Sequence, residues 1–353
     1  MRVAIVGFPY SGKTTLFAAV SGVALDHLRP AEETLAAVKL PEPRLDVLET
    51  IFKPKKRTAA TIDFVDLPGS AEGESEHAGL TRHLPTLRQS DGLLFVLRDF
   101  ASASVPPHQG SVDPRRDLTQ LRDELLLADL EICANRIEKL EKALTKPTKE
   151  RERHKHELNL LGRCREALEA ERPLSRVVQP GEEEKLLRSF GFLTQKPVVV
   201  VLNVDEERVA AEPALRDPYA ATTIATCATL EADLLQVDAE DRGEFLADYG
   251  IAALARDRIV WACFNALEML CYFTAGDTEV RAWPIAAGST ALDAAAKIHS
   301  DLARGFIKAE TVAFEDLQAA GSFREAKAAG TLRQEPKGYV VKDGDVITIK
   351  FNV

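Results

Sequence analysis

The 353-residue sequence is poor in cysteine and in long apolar stretches, and it has no excess of positive charge. Its five cysteines are an odd number and include no C-x-x-C pair, which argues against a disulfide framework and a structural zinc site. No apolar run approaches the roughly 20 residues that a membrane-spanning helix needs. The net charge of -10 argues against a general nucleic-acid coat, although a local basic patch can still bind RNA. We therefore expect a cytoplasmic protein with reduced thiols and no membrane partner.

The composition is that of a globular protein. Apolar residues make up 45% of the chain and charged residues 28%, and the length allows two or three domains. The sequence contains neither internal repeats nor low-complexity segments. A strand is predicted from residue 2 onward, so no signal peptide is expected.

A complete phosphate-binding motif stands near the beginning of the chain. Residues 7–14 read GFPYSGKT, which fits G-x-x-x-x-G-K-[ST], and the motif directly follows the apolar run Val3 to Val6. The glycines permit a tight turn whose N–H groups point at phosphate oxygens, Lys13 reaches the β and γ phosphates, and the Thr14 hydroxyl can bind Mg²⁺. The residues expected to contact the nucleotide in this loop are Tyr10, Ser11, Gly12, Lys13, Thr14 and Thr15.

A second motif narrows the class of nucleotide-binding protein. A phosphate loop alone is compatible with kinases, transporters and GTPases. Residues 62–69 read IDFVDLPG, a strand that ends in D-x-x-G. The Asp66 carboxylate can hold Mg²⁺ through water, and the Gly69 N–H can contact a γ phosphate. The two motifs together favour a nucleoside triphosphatase of the GTPase type.

A third motif concerns the base. Guanine-specific proteins carry N-K-x-D after a strand, whereas this chain has Asn203, Val204 and Glu206 in an N-x-x-E pattern. Glutamate is one methylene longer than aspartate and crowds the bidentate geometry, and valine lacks the lysine stem that packs over the ring. Guanine specificity is therefore expected to be weakened. Cys227 and Ala228 follow the next strand and are expected to line the same base site, although an ordinary strand-end turn remains an alternative.

The pattern of apolar residues divides the chain into three predicted parts. Short apolar runs at 3–6, 61–65, 93–97, 197–202 and 222–227 predict a parallel α/β sheet. Apolar residues with helical spacing over 115–172, interrupted at 146–148, predict a helical hairpin inserted into that sheet domain. Further helices are expected at about 241–249 and 254–270. Short runs at 280–283, 338–341 and 346–351 predict a separate small α+β module. The predicted boundaries are 1–114 with 173–274, 115–172, and 275–353.

With these motifs in place, the chain resembles the YchF or Obg-like ATPase family of P-loop proteins. The strings that carry the resemblance beyond the motifs are LPEPRLD at 40–46, ADLE at 128–131, EFLAD at 244–248, FTAG at 273–276 and EVRAW at 279–283. Near the C-terminus, further strings resemble the family's TGS domain, a ubiquitin-like (β-grasp) fold. They are IHSD at 298–301, RGFI at 304–307, DGDV at 343–346 and FNV at 351–353.

The resemblance implies a slow, Mg²⁺-dependent ATPase that prefers or accepts ATP over GTP and acts as a ribosome-associated switch. A monomer is expected. Family members lack the glutamine that other GTPases use to orient water, and a loop histidine is thought to replace it; that position matches His108. A neutral imidazole there would orient or deprotonate the attacking water. A histidine that is merely solvated remains the alternative.

Several positions depart from the family pattern. Tyr10 replaces an asparagine associated with a catalytic potassium ion, so potassium activation is not expected. Ser70 replaces a hydrophobic residue, and Pro85 is expected to interrupt a helix. The first switch reads PAEET at 30–34, so that Thr34 would bind Mg²⁺ only if the loop shifts. These departures favour one alternative, a nucleotide-binding adaptor with little hydrolysis. An ordinary GTPase is a second alternative, against which Glu206 argues.

The tip of the predicted hairpin is locally basic in an acidic protein. It is expected to contact ribosomal RNA phosphates, with an affinity that falls steeply with salt. The alternative is a solvated helix surface on which Glu150 and Glu152 offset the charge. The basic and histidine residues of the tip are Lys146, Lys149, Arg151, Arg153, His154, Lys155 and His156.

Overall fold

The computed structural model describes residues 1–29, 32–68, 80–145 and 149–352. The chain divides into two compact units, the first formed by residues 1–36 and 63–259 and the second by residues 37–62 and 260–353. Among the described helices, none combines the length and the apolar character that crossing a bilayer requires. The five cysteines are buried free thiols.

The strands fall into two sheets. They are β1 (Arg2–Val6), β2 (Thr34–Lys39), β3 (Lys56–Thr58), β4 (Thr61–Asp66), β5 (Gly92–Asp99), β6 (Val198–Val204), β7 (Thr222–Thr226), β8 (Met269–Ala275), β9 (Glu279–Ala286), β10 (Phe306–Ala313), β11 (Arg333–Glu335) and β12 (Asp345–Phe351). In the described residues, one sheet has the order β2-β4-β1-β5-β6-β7 and the other the order β11-β10-β12-β8-β9-β3.

The helices connect and cover these sheets. They are α1 (Lys13–Ser21), α2 (Arg44–Phe52), α3 (Leu84–Gln89), α4 (Pro114–Leu144), α5 (Arg151–Glu169), α6 (Glu182–Leu187), α7 (Ala228–Gln236), α8 (Ala239–Asp248), α9 (Ala255–Ala266), α10 (Ala291–Ile298), α11 (Ser300–Arg304), α12 (Phe314–Ala320) and α13 (Phe323–Ala328).

The first sheet confirms the predicted α/β class. Strand β1 pairs in parallel with β4 and β5, and β5, β6 and β7 are successively parallel. Their apolar residues are buried on both faces, as expected for a parallel sheet covered by helices. Since the carboxyl ends of parallel strands lie at one edge, the residues that follow β1, β4 and β6 are brought to the same side of the sheet.

Helices α4 and α5 pack against each other through a shared apolar core that includes Cys133 and Cys164. Asp113 caps α4, because its side chain accepts hydrogen bonds from the N–H groups of Arg115 and Arg116, and Pro114 occupies the first turn. The predicted break at 146–148 lies outside the described residues. Pro85 stands in the first turn of α3, after a turn at residues 82–83, where a proline is compatible with helix.

The second sheet is mixed. Strand β12 pairs antiparallel with β10 and parallel with β8, and β8 pairs antiparallel with β9. Two sequence predictions are wrong here. The run 338–341 forms a turn with one isolated bridge, Thr290 to Val340, and the helix predicted over 254–270 ends at Ala266 because residues from Met269 onward join β8. Strand β10 was not predicted.

The division into units also differs from the predicted boundaries, because residues 37–62 pack with the C-terminal part of the chain. Strand β3 extends the second sheet by pairing in parallel with β9. Arg44 at the start of α2 donates to the buried carboxylate of Glu42 at 2.6 and 2.7 Å and to Asp343 at 2.7 Å. The predicted three-part organisation, with 275–353 as a TGS domain, stays a prediction.

Candidate functional site

The phosphate-binding motif forms a tight loop between β1 and α1. Gly12 has φ +91° and precedes the first residue of α1. A Cβ at Gly12 would lie 2.2 Å from Asn203 Nδ2, and a Cβ at Gly7 would lie 2.4 Å from the Val96 carbonyl oxygen. Only glycine therefore fits at either position. The loop delivers the unpaired N–H groups of the α1 N-terminus to one side of the sheet, which is a suitable place for an anion.

Lys13 and Asp66 lie close together at this edge. The Lys13 ammonium donates a hydrogen bond to the Phe8 carbonyl oxygen at 2.9 Å. Burial lowers the pKa of Lys13 to about 8, against the opposing charge of Asp66. Burial also raises the pKa of Asp66, opposed by a hydrogen bond from Thr14 and by the charge of Lys13. Lys13 is therefore a buried cation whose charge Asp66 offsets only in part.

The Thr14 hydroxyl and the Asp66 carboxylate have the chemistry of a magnesium site. Asp66 is buried, and its Oδ1 atom has no hydrogen-bond partner within the described residues. A buried carboxylate oxygen without a partner carries a free-energy cost that a bound cation would remove. Oxygen ligands of this kind suit Mg²⁺, which is commonly held by one or two protein groups together with phosphate oxygens.

Asn203 connects the phosphate loop to the loop that follows β7. Its Nδ2 donates to the Ser11 carbonyl oxygen at 3.0 Å, and its Oδ1 accepts from the Ala228 N–H at 2.9 Å. Val204 and Ala228 are buried beside it. The sequence motif predicts that Asn203 contacts the base. In the structure its hydrogen bonds also hold the phosphate loop in place.

Glu206 and Cys227 lie on the two loops predicted to surround the base. Glu206 is exposed at the start of a short 3₁₀ helix after β6, and its Oε2 accepts a hydrogen bond from the Tyr249 hydroxyl at 3.1 Å. Cys227 is buried, with its Sγ 3.1 Å from the Thr229 hydroxyl. Sequence reasoning missed Tyr249, because its contact with Glu206 spans 43 residues.

His108 is buried rather than solvated. Its ring stacks on Phe8 of the phosphate loop, with centroids 3.9 Å apart and planes inclined by 6°, and its Nε2 lies 3.0 Å from Gln120 Oε1. The solvated-histidine alternative is therefore wrong. Arg98, which sequence reasoning missed, is 3% exposed and donates to the carbonyl oxygens of the segment that precedes His108.

The remaining predicted site residues differ in their placement. Tyr10 adopts φ +63° and is 53% exposed beside the phosphate loop. The Ser11 hydroxyl is buried and has no hydrogen-bond partner within the described residues. Thr34 is the first residue of β2, and its side chain makes no hydrogen bond in the described part of the chain. Gly69 and Ser70 lie outside the described residues, as does Lys146.

Two family models match the chain. One, described as a 50S ribosome-binding GTPase, matches residues 2–136. The other is the YchF-GTPase C-terminal family, described as "Protein of unknown function (DUF933)", and it matches residues 269–352.

Full-length relatives decide the family. The ribosome-binding ATPases YchF of Bacillus subtilis (strain 168) and Escherichia coli O157:H7 are each 36% identical to the chain. Both alignments cover 100% of this chain, with 100% of the first relative and 99% of the second. The chain belongs to the YchF family. The solved structure of the Schizosaccharomyces pombe YchF GTPase agrees, with a TM-score of 0.87 at 28% identity over 99% of this chain and 97% of that one.

Membership of the YchF family confirms the resemblance drawn from the sequence motifs. It also confirms the P-loop sheet domain and a C-terminal domain built on β-strands. The roles of individual site residues stay predictions, as does the TGS assignment.

Proposed function

We propose that this YchF-family protein is a slow, Mg²⁺-dependent hydrolase of ATP, with GTP the poorer substrate, and that it works as a nucleotide switch on the ribosome in the cytoplasm. The observation that carries the proposal is the cluster of Lys13, Thr14 and Asp66 at the N-terminus of α1. The names of the bacterial relatives, ribosome-binding ATPases, support both the substrate and the partner.

The phosphate loop supplies most of the binding energy in this proposal. The backbone N–H groups of residues 10–15 and the Lys13 ammonium neutralise the β and γ phosphates, because phosphoryl transfer depends mainly on positioning and charge stabilisation. The lowered pKa of Lys13 supports this role, since an incoming phosphate supplies the missing counter-charge.

Thr14 and Asp66 would hold the metal ion, and Thr34 would join them only if the first switch moves. Bound Mg²⁺ would offset negative charge on the phosphate oxygens. The Gly69 N–H is assigned to the γ phosphate by the D-x-x-G motif.

His108 is proposed to orient or deprotonate the attacking water. Its stacking on Phe8 and its hydrogen bond with Gln120 fix the imidazole next to the phosphate loop. Arg116 strengthens this arrangement by donating to the His108 carbonyl oxygen at 2.9 Å. A fixed imidazole pays less entropy when water and phosphate come into line.

The hairpin tip is the proposed ribosomal RNA contact, together with the C-terminal domain. Lys155 pairs with Glu152 at 2.9 Å and His154 lies 3.5 Å from Glu150, so part of the charge is offset. Lys149, Arg151 and Arg153 form no ion pair within the described residues. Co-sedimentation with ribosomes should weaken steeply with salt, and substitution of these three residues by glutamine should reduce the salt slope.

The experiment that tests the proposed activity is phosphate release from ATP and from GTP with Mg²⁺. It compares the wild type, His108→Ala and the control His27→Ala, in which the substituted histidine is exposed. We expect slow ATP turnover that falls in His108→Ala and not in His27→Ala. Nucleotide binding without turnover would favour the adaptor, and faster GTP turnover would identify an ordinary GTPase.

A further inference from the structure

The carboxylate of Glu206 is held by a residue from a distant helix end. Tyr249 follows α8 directly, and its hydroxyl donates to Glu206 Oε2 at 3.1 Å. This hydrogen bond and the negative charge of Glu206 raise the pKa of Tyr249. The side chain expected to select the base therefore has a hydrogen-bond partner within the protein.

The ring of Tyr249 is anchored on the same side of the sheet as the base loops. It packs against the apolar cluster formed by Cys227, Leu230 and Leu234. Cys227 is the single residue between β7 and α7, so the cluster joins Tyr249 to this connection, while the Tyr249 hydroxyl contacts Glu206 after β6. The ring of Tyr249 is thus positioned by packing, and its solvent-exposed hydroxyl by a hydrogen bond.

The other polar group at this position already makes hydrogen bonds within the protein, which fix its orientation. The Asn203 amide is committed to Ser11 on one side and to Ala228 on the other. In the proposed function, Glu206 is the side chain that distinguishes the bases. Guanine presents two adjacent donors, N1–H and N2–H₂, which a carboxylate accepts best with both oxygens, whereas adenine presents one amino group beside an acceptor nitrogen.

We propose that Tyr249 is a positioning residue for base selection, which holds one carboxylate oxygen of Glu206 so that a single oxygen faces the base. One oxygen accepts the adenine amino group but cannot complete the paired contact that guanine requires. This inference rests on the proposed function, in which Glu206 reads the base.

The test is competition binding of ATP, GTP and ITP to the full-length protein, for the wild type, Tyr249→Phe, Glu206→Ala and the double variant. Phenylalanine keeps the ring and removes the hydroxyl, so that Glu206 can offer both oxygens. We expect the ATP-to-GTP affinity ratio to fall about fivefold in Tyr249→Phe, the equivalent of one hydrogen bond. The gain should be larger for GTP than for ITP, which lacks the N2 amino group.

Tyr219→Phe is the matched control, because Tyr219 is also partly exposed but contacts Arg122 instead. Its affinity ratio should equal that of the wild type. If Tyr249→Phe leaves the ratio unchanged while Glu206→Ala alters it, the inference about Tyr249 is overturned and the base-reading role stands. A ratio unaffected by Glu206→Ala overturns both. An equal effect of Tyr249→Phe with and without Glu206 shows that the hydroxyl acts by another route, which also overturns the inference.

Discussion

Replacing Lys13 by methionine should change how the stability of the nucleotide-free protein depends on pH. Burial lowers the pKa of Lys13 from 10.5 to about 8 in the folded protein. Below pH 8 the folded and unfolded chains both carry the ammonium, and the folded state bears the full cost of burying it. Between about pH 8 and 10.5 the folded protein has released a proton that the unfolded chain still binds, so the free energy of unfolding rises with pH.

The size of this effect follows from the pKa change. The interval between 10.5 and about 8 corresponds to about 3 kcal/mol of unfolding free energy, gained by the wild type across that pH range. Methionine has a similar length and no charge, so Lys13→Met should lack this rise. At pH 7 its net effect is smaller than 3 kcal/mol, because Asp66 then loses its neighbouring cation.

The assay is urea unfolding of both proteins without nucleotide, at intervals from pH 7 to pH 10.5. Both proteins contain the same tyrosines and cysteines, which titrate in the same pH range. Subtracting the Lys13→Met free energies of unfolding from those of the wild type therefore leaves the contribution of Lys13. Parallel curves would refute the argument, because they would mean that the Lys13 ammonium is not buried at a cost. The same variant should bind ATP very weakly, because in the wild type the bound phosphates offset the cost of burying the Lys13 ammonium.

Three further predictions test the site. Asn203→Ala should lower the free energy of unfolding by about 2–4 kcal/mol, because two hydrogen bonds are lost and the buried Ala228 N–H is left without a partner. Urea unfolding checks this, with Asn159→Ala, at an exposed position, as the control. Ser11→Ala should stabilise the protein by up to about 1 kcal/mol, because the buried hydroxyl has no partner in the described residues, and a lower melting temperature would contradict this. Asp66→Asn should weaken ATP binding in Mg²⁺ and leave binding in EDTA nearly unchanged, as titration calorimetry in the two buffers would measure.

The local parts of the site were predictable because each of them is formed by consecutive residues of a recognisable motif. The phosphate loop, the strand that ends at Asp66 and the strand that precedes Asn203 each combine a motif with an apolar run of the right length. Strand-forming runs that were buried on both faces were also identified correctly. These features depend on neighbours within about ten positions.

The features that were missed depend on distant contacts. The stacking of His108 on Phe8 and the hydrogen bond from Tyr249 to Glu206 join residues with no shared motif. The apolar run at 338–341 resembled a strand, but its backbone turns and makes only one bridge, because sheet neighbours and not composition decide strand formation. Strand β3 contains two basic residues and forms only because β9 provides a partner.

That pairing has a consequence for how the protein is made. Thr58 donates a hydrogen bond to Glu279 across 221 residues, so β3 and α2 are synthesised long before the strand they join. At about 5–20 residues per second, translation leaves them without that partner for roughly 10–45 seconds. Strand β3 consequently completes its pairing only after most of the chain has been translated. A fragment that stops at residue 259 would leave β3 without its strand partner, so C-terminal truncation alone would not give a nucleotide-binding unit free of unpaired strand.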